Sequence, residues 1–256
     1  MKVVAVVQAR MGSTRLPGKM MLPLGGKSAI THALQRTDRA TLVDETILAT
    51  TSKERDELLQ NRAHELGIET YRGDEEDVLG RVLSAAKVAD ADVIVRIAGD
   101  CPLVSPNIID LTVDTLLETD SDYVSNKIDR TFPLGLDVEV FTRNSFLMVD
   151  QATDAPNERE HVTVYYLDHQ DRFSTENISS DQIFDQDKYK NRTDIELTLD
   201  ESDDYVFLDE IFSKLPEEKR EPQSVIDLVD SEKIDIDIDV ERRDGNHSEI
   251  ENNDDE

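Results

Sequence analysis

The sequence predicts an α/β fold built on a mostly parallel, mixed sheet flanked by helices, and three observations carry that prediction. A β-branched apolar run at residues 3–7 has the composition of a strand buried on both faces, and further strand-like stretches follow at 46–51 and, as a buried strand, at 92–98. Amphipathic stretches at 28–39, 53–66 and 77–89 alternate with them, which is the spacing of βαβ units. A chain of 256 residues is long enough to bury one good core.

The elements follow in order. The first strand, 3–7, breaks off into a loop that begins at Gln8. Gly25-Gly26-Lys27 makes a turn, and Ser28 is the expected N-cap of a helix to about Arg39. Strand 46–51 leads into a helix over 53–66 that Gly67 ends, and 68–72 is a short third strand. Val78, Leu79, Val82, Leu83 and Ala86 recur at helical spacing ahead of strand 92–98. A helix over 106–119 and a strand-like 122–126 come next. Residues 136–141 alternate, with Asp137 and Glu139 on one face and Val138 and Val140 on the other. Helices are predicted over 144–151 and 159–169, a late strand over 195–199, and helices over 202–215 and 222–229. The chain thus divides into one folded unit, 1–232, and a tail, 233–256, holding ten acids, three bases and no aromatic residue. Ile234, Ile236, Ile238 and Val240 alternate with acids as an edge strand would. Beyond Arg242 the composition is that of a disordered, solvating tail.

Composition narrows the partners. The chain carries 57 acidic and 28 basic residues, a formal charge of −29, which disfavours nucleic acid and anionic membranes. No apolar run approaches the ~20 residues of a membrane span, and the N-terminal run is too short for a signal peptide, so the expected location is the cytoplasm. Cys101 is the only cysteine, which excludes an internal disulfide and a cysteine-based zinc site. Seventeen Arg stand against eleven Lys, and acids occur in every predicted helix. That is the pattern expected of adaptation to high salt, where self-repulsion is screened over short distances.

One stretch departs from this acidity. Residues 1–39 hold seven Lys or Arg, with Asp38 as their single acid. Gln8-Ala-Arg-Met-Gly-Ser-Thr-Arg-Leu-Pro-Gly-Lys19 follows the first strand. Gly12 and Gly18 allow tight turns that aim backbone N–H groups at an anion, and Ser13 and Thr14 add hydroxyl donors. Arg10, Arg15 and Lys19 add cations, so the loop is suited to a polyphosphate. A cationic loop in an anionic protein focuses field on such a ligand; the alternative is an ordinary connection with solvated charges. It is not a P-loop, because Met20 follows Lys19, nor a dinucleotide-binding glycine fingerprint.

Asp100 lies in Val95-Arg96-Ile-Ala-Gly-Asp-Cys-Pro102, at the carboxyl end of a strand, where ligands of such sheets bind. A carboxylate facing a triphosphate loop is a natural Mg2+ ligand, since Mg2+ takes one or two carboxylates and completes its shell with phosphate and water. The alternative is a turn aspartate bonded to its own backbone. Arg96 is placed to reach substrate or phosphate. Asp200, ending the late strand, is a candidate second carboxylate, or else belongs to the N-cap of the helix after it.

The stretch from Gln8 to Lys19 resembles the N-terminal signature of the cytidylyltransferases that make CMP-activated acidic sugars, nearest the branch named for spore-coat polysaccharide biosynthesis. Gly-Asp-Cys-Pro at 99–102 and Leu-Asp with Asp-Tyr at 199–205 resemble that family's metal motifs, 71–81 its nucleotide border and 132–139 its acceptor region. Residues 157–163 are also similar, and the resemblance spans about 3–230. It implies a single Rossmann-like, GT-A-like nucleotidyltransferase domain, in which a sugar hydroxyl or phosphate attacks the α-phosphorus of CTP and pyrophosphate leaves. By the same resemblance Gln8, Ala9, Arg10, Gly12, Ser13, Arg15, Lys19, Arg72 and Arg81 bind nucleotide. Arg10, Lys19 and Asp100 are then catalytic, and Asp100 and Asp200 hold Mg2+. Arg96, Asp137, Glu139, Glu160 and His161 are the residues for the sugar, with Glu160 and His161 alternatively at a partner subunit of a homodimer. On the residues alone, Arg81 could instead pair with Asp77 one turn earlier, Asp137 and Glu139 could form a solvated strand face, and His161 could be structural. Gln8-Ala9-Arg10 stands where the sialic-acid and octulosonate enzymes have Pro-Ala-Arg, so the sugar is left open. The rival readings are a GTP-using guanylyltransferase and a non-catalytic nucleotide-binding subunit of a polysaccharide pathway.

Overall fold

The computed structural model describes residues 1–231; the alternating stretch 234–240 and the rest of the acidic tail lie outside the described residues. Strand β1 (Val3–Gln8) runs at the centre of the main sheet. The hairpin β2 (Pro23–Leu24) and β3 (Lys27–Ser28) stands apart from it. Parallel to β1 lie β4 (Glu45–Thr51) on one side and β6 (Val93–Ala98) on the other, with β5 (Glu69–Gly73) parallel outside β4. Beyond β6 the direction reverses. Strand β8 (Glu139–Thr142) is antiparallel to β6 and to β7 (Tyr123–Ser125), and β9 (Thr175–Asn177) closes the order β5-β4-β1-β6-β8-β7-β9.

Both faces of β1 are covered, which is why its sequence is an unbroken apolar run. Val3, Ala5 and Val7 join a core with Leu34 of α1 (Ala29–Thr37), Leu59 of α2 (Glu57–Glu65), Ile109 of α4 (Pro106–Thr119) and Leu208 of α8 (Ser202–Lys214). Val4 and Val6 face a second core with Leu79 and Val82 of α3 (Val78–Val88) and Phe146 of α5 (Arg143–Ala152). The period of two along the strand sorts its side chains between the layers. A last helix, α9 (Pro222–Asp230), packs Val225 and Ile226 into the first core. Among the described residues no helix is long and apolar enough to cross a membrane.

Strands β2, β3 and β9 have no counterpart in the sequence expectation, and two expected elements take another form. The helix expected over 159–169 is broken into α6 (Pro156–His161) and α7 (Val164–Asp168). The break is at Val162, fully buried with φ 51°, a strained conformation for a β-branched residue. The late strand over 195–199 is not part of the sheet. Its buried residues Ile195, Leu197 and Leu199 do alternate, but among the described residues its only ladder contact is a parallel bridge of Glu196 to Leu134. Leu134 N donates to Ile195 O at 3.0 Å, Leu197 N to Leu134 O at 2.7 Å, and Leu199 N to Asp100 O at 2.9 Å. The segment is extended because it threads between two loops.

Candidate active site

Gln8 of β1 stands in register opposite Ala98 of β6, so the loops that follow leave the sheet side by side. Gly99 N donates to Gln8 O at 2.8 Å. A Cβ on Gly99 would lie 2.8 Å from the Ala9 Cβ and 3.0 Å from Gln8 O, so this approach requires glycine. Gly18, with φ 74°, turns the first loop into a short 3-10 helix, Lys19–Met21, that buries Lys19. Gly12 is not among the left-handed glycines, but a Cβ there would lie 2.6 Å from the Arg55 guanidinium, so its lack of a side chain admits a close neighbour rather than a left-handed turn. The loop is held instead by Asp56, fully buried, which accepts from Met11 N at 2.6 Å and from the Thr51 hydroxyl.

Gln8, Ala9, Arg10, Gly12, Ser13, Arg15, Lys19, Arg81, Arg96, Asp100, Glu160, His161 and Asp200 line one cleft of about 410 Å³. Three sequence candidates stand outside its lining. Arg72 donates to the carbonyls of Thr51 (3.0 Å) and Lys53 (2.9 Å). Asp137 is taken up in a two-pronged pair with Arg130. Glu139 is buried beneath the cleft, where it pairs with Arg96 and accepts from Thr163 Oγ1 at 2.5 Å and Tyr123 OH at 3.3 Å. A solvated face is therefore excluded for Glu139. Burial alone would raise its pKa, but the Arg96 and Lys127 cations and the Thr163 hydroxyl bring it down to about 2. Glu139 thus serves to hold Arg96, whose Nε also donates to Gln8 Oε1 at 2.9 Å.

Lys19 is the centre of the cleft. Its Nζ lies 2.6 Å from Asp100 Oδ2 and 2.6 Å from Asp200 Oδ1. Burial would lower the ammonium pKa, but the two carboxylates overcome this and hold it above its ordinary value. Arg15 is 3.2 Å from Asp200 and 3.9 Å from Glu201, and Arg10 is 3.9 Å from Glu75 and 4.0 Å from Glu160. Each cation of the loop therefore meets carboxylates from distant parts of the chain. The N-cap of α8 is Glu201, and Asp204 accepts from the backbone N–H groups of Asp200 (2.9 Å) and Glu201 (2.7 Å). That leaves the Asp200 side chain to Lys19 and Arg15, so the capping alternative does not hold.

Arg81 is buried and donates to the carbonyls of Asp74 and Glu75, while Asp77 pairs with Arg159 instead. Arg159 ties α6, which carries Glu160 and His161, to the start of α3, which carries Arg81. Sequence reasoning missed Asp56, Glu75, Arg159 and Asp204. Only Asp204 had a local signal, an acid at the third position of a helix whose cap is also acidic.

Among the described residues no cluster of three or more His, Cys, Asp or Glu could hold a metal. Asp100 and Asp200 are a pair of hard oxygen donors, the number that Mg2+ or Mn2+ takes when phosphate and water complete the shell, so the residues fit such an ion.

The pattern that defines the family described as Cytidylyltransferase matches residues 4–234. The chain belongs to the cytidylyltransferase family. Spore coat polysaccharide biosynthesis protein SpsF of Bacillus subtilis is 29% identical over 220 residues, 84% of this chain and 88% of SpsF. A 3-deoxy-manno-octulosonate cytidylyltransferase of Trichlorobacter lovleyi is 38% identical over 119 residues, 46% of each chain. The structure of a cytidylyltransferase from Leptospira borgpetersenii serovar Hardjo-bovis superposes with a TM-score of 0.83 at 31% identity, covering 90% of this chain and 94% of that one. The family resemblance and the Rossmann-like nucleotidyltransferase fold read from the sequence both hold.

Proposed function

We propose that this cytidylyltransferase transfers CMP from CTP to an acidic or modified sugar, releasing pyrophosphate, in the synthesis of a surface polysaccharide or glycan. The observation that carries the proposal is the meeting of Asp100 and Asp200 on Lys19, inside a cleft walled by the loop of Arg10, Ser13 and Arg15. Family membership supports CTP as donor, and the likeness to SpsF and to an octulosonate enzyme supports a sugar acceptor. A CTP-dependent reaction of this kind belongs in the cytoplasm.

The chemistry follows from positions. Arg10, Ser13, Arg15 and Lys19 hold the β- and γ-phosphates and offset the charge that grows on the leaving pyrophosphate. Arg81 borders the same cleft and serves the nucleotide. Arg96 is fixed by Glu139 and Gln8, and forms with Glu160 and His161 the acceptor side. Mg2+, when held by Asp100 and Asp200, would neutralise phosphate oxygens and acidify the attacking hydroxyl.

Pyrophosphate release with each of four NTPs and a panel of acidic sugars tests the reading. Turnover with CTP and one of the sugars is expected. Preference for GTP would move the protein to the guanylyltransferases, and nucleotide binding without pyrophosphate release would make it a non-catalytic subunit.

A further inference from the structure

We propose that in the nucleotide-free protein Lys19 keeps the Asp100–Asp200 pair closed to free divalent ions, and that the phosphates of the nucleotide open it by drawing the ammonium away. The inference rests on the reading of Asp100 and Asp200 as the metal-holding pair. Lys19 Nζ is 2.6 Å from one oxygen of each carboxylate, on a side chain only 9% exposed. An ion held by both carboxylates would have to compete with Nζ for them. To enter alone it must break two part-buried ion pairs and leave an ammonium beside a dication, with Arg15 3.2 Å from the other Asp200 oxygen. A triphosphate changes both sides of that balance. It offers Lys19 and Arg15 new anionic partners, and it brings the ion its missing oxygen ligands. The backbone of Lys19 is fixed in its 3-10 turn, with N bonded to Leu16 O at 3.2 Å, so the switch is a movement of the side chain and not of the loop. Metal binding is thereby coupled to nucleotide binding.

The test is Mn2+ binding by the nucleotide-free full chain, read by electron paramagnetic resonance. Binding by Lys19→Met/Asp200→Asn gives the background of the acid-rich surface and is subtracted. Above it, wild type and Lys19→Arg are expected to bind only weakly. Lys19→Met is expected to bind at least ~10-fold more tightly, the effect of removing one close cation from a carboxylate pair. Lys19→Gln replaces Lys19→Met should the latter fail to fold. Wild type binding Mn2+ as tightly as Lys19→Met would overturn the inference and leave the metal pair standing. No binding above background by any protein, including folded Lys19→Met, would overturn the metal pair itself.

Discussion

At Gly99 a single added methyl group would decide whether two loops can meet. The closest atoms include the carbonyl of Gln8, which is backbone and cannot turn aside. Gly99→Ala is expected to lower stability by ~1–3 kcal/mol, the usual cost of overpacking, measured by urea unfolding. The charged residues of the cleft should behave differently. Lys19→Ala and Asp100→Ala are each expected to reduce turnover at least ~100-fold, on the scale of losing one charge-stabilising group; near-normal pyrophosphate release from either would remove it from the mechanism. At this scale the sequence was half readable. Arg10, Arg15 and Lys19 stood out because their stretch has almost no acids, and Asp100, Asp200 and Glu160 were found through strand ends and the family resemblance, whereas Glu75 and Glu201, which also face the loop, come from segments where acids are common. A counter-ion chosen by tertiary contact leaves no local mark.

The elements divide in the same way. The parallel half was legible since strands buried on both faces read as apolar runs, and helix spacing between them is a local property. The second half was less so. Just after the break at Val162, Thr163 bonds Glu139, and the extended 195–199 bonds Leu134 and Asp100; none of these three partners is near in sequence. Helix α1 also yields a prediction. His32 on that helix is buried against Phe212, with its Nε2 2.8 Å from Leu24 O, and burial lowers its pKa to about 4. The unfolded chain therefore takes up a proton that the folded one refuses, and stability should fall as pH drops from about 6.5 towards 4. Urea unfolding across that window is expected to show a shallower pH dependence in His32→Gln. An identical slope in the variant would mean that other groups set it.

Over the whole molecule, charge is the dominant feature. A net −29 makes compact states self-repelling, and screening relieves that repulsion. Midpoints of thermal unfolding are expected to rise as KCl is increased to molar levels; equal stability at low and molar KCl would refute adaptation to salt. The route by which Asp200 arrives has its own corollary. Strands β1, β4, β5 and β6 lie within the first 98 residues, while Asp200 comes just before α8 and is set by Asp204 within it. The two carboxylates on Lys19 thereby clasp the ends of the fold together, one from the exit of β6 and one from the threshold of α8, whose Leu208 packs in the same core as Val3 and Val7 of β1.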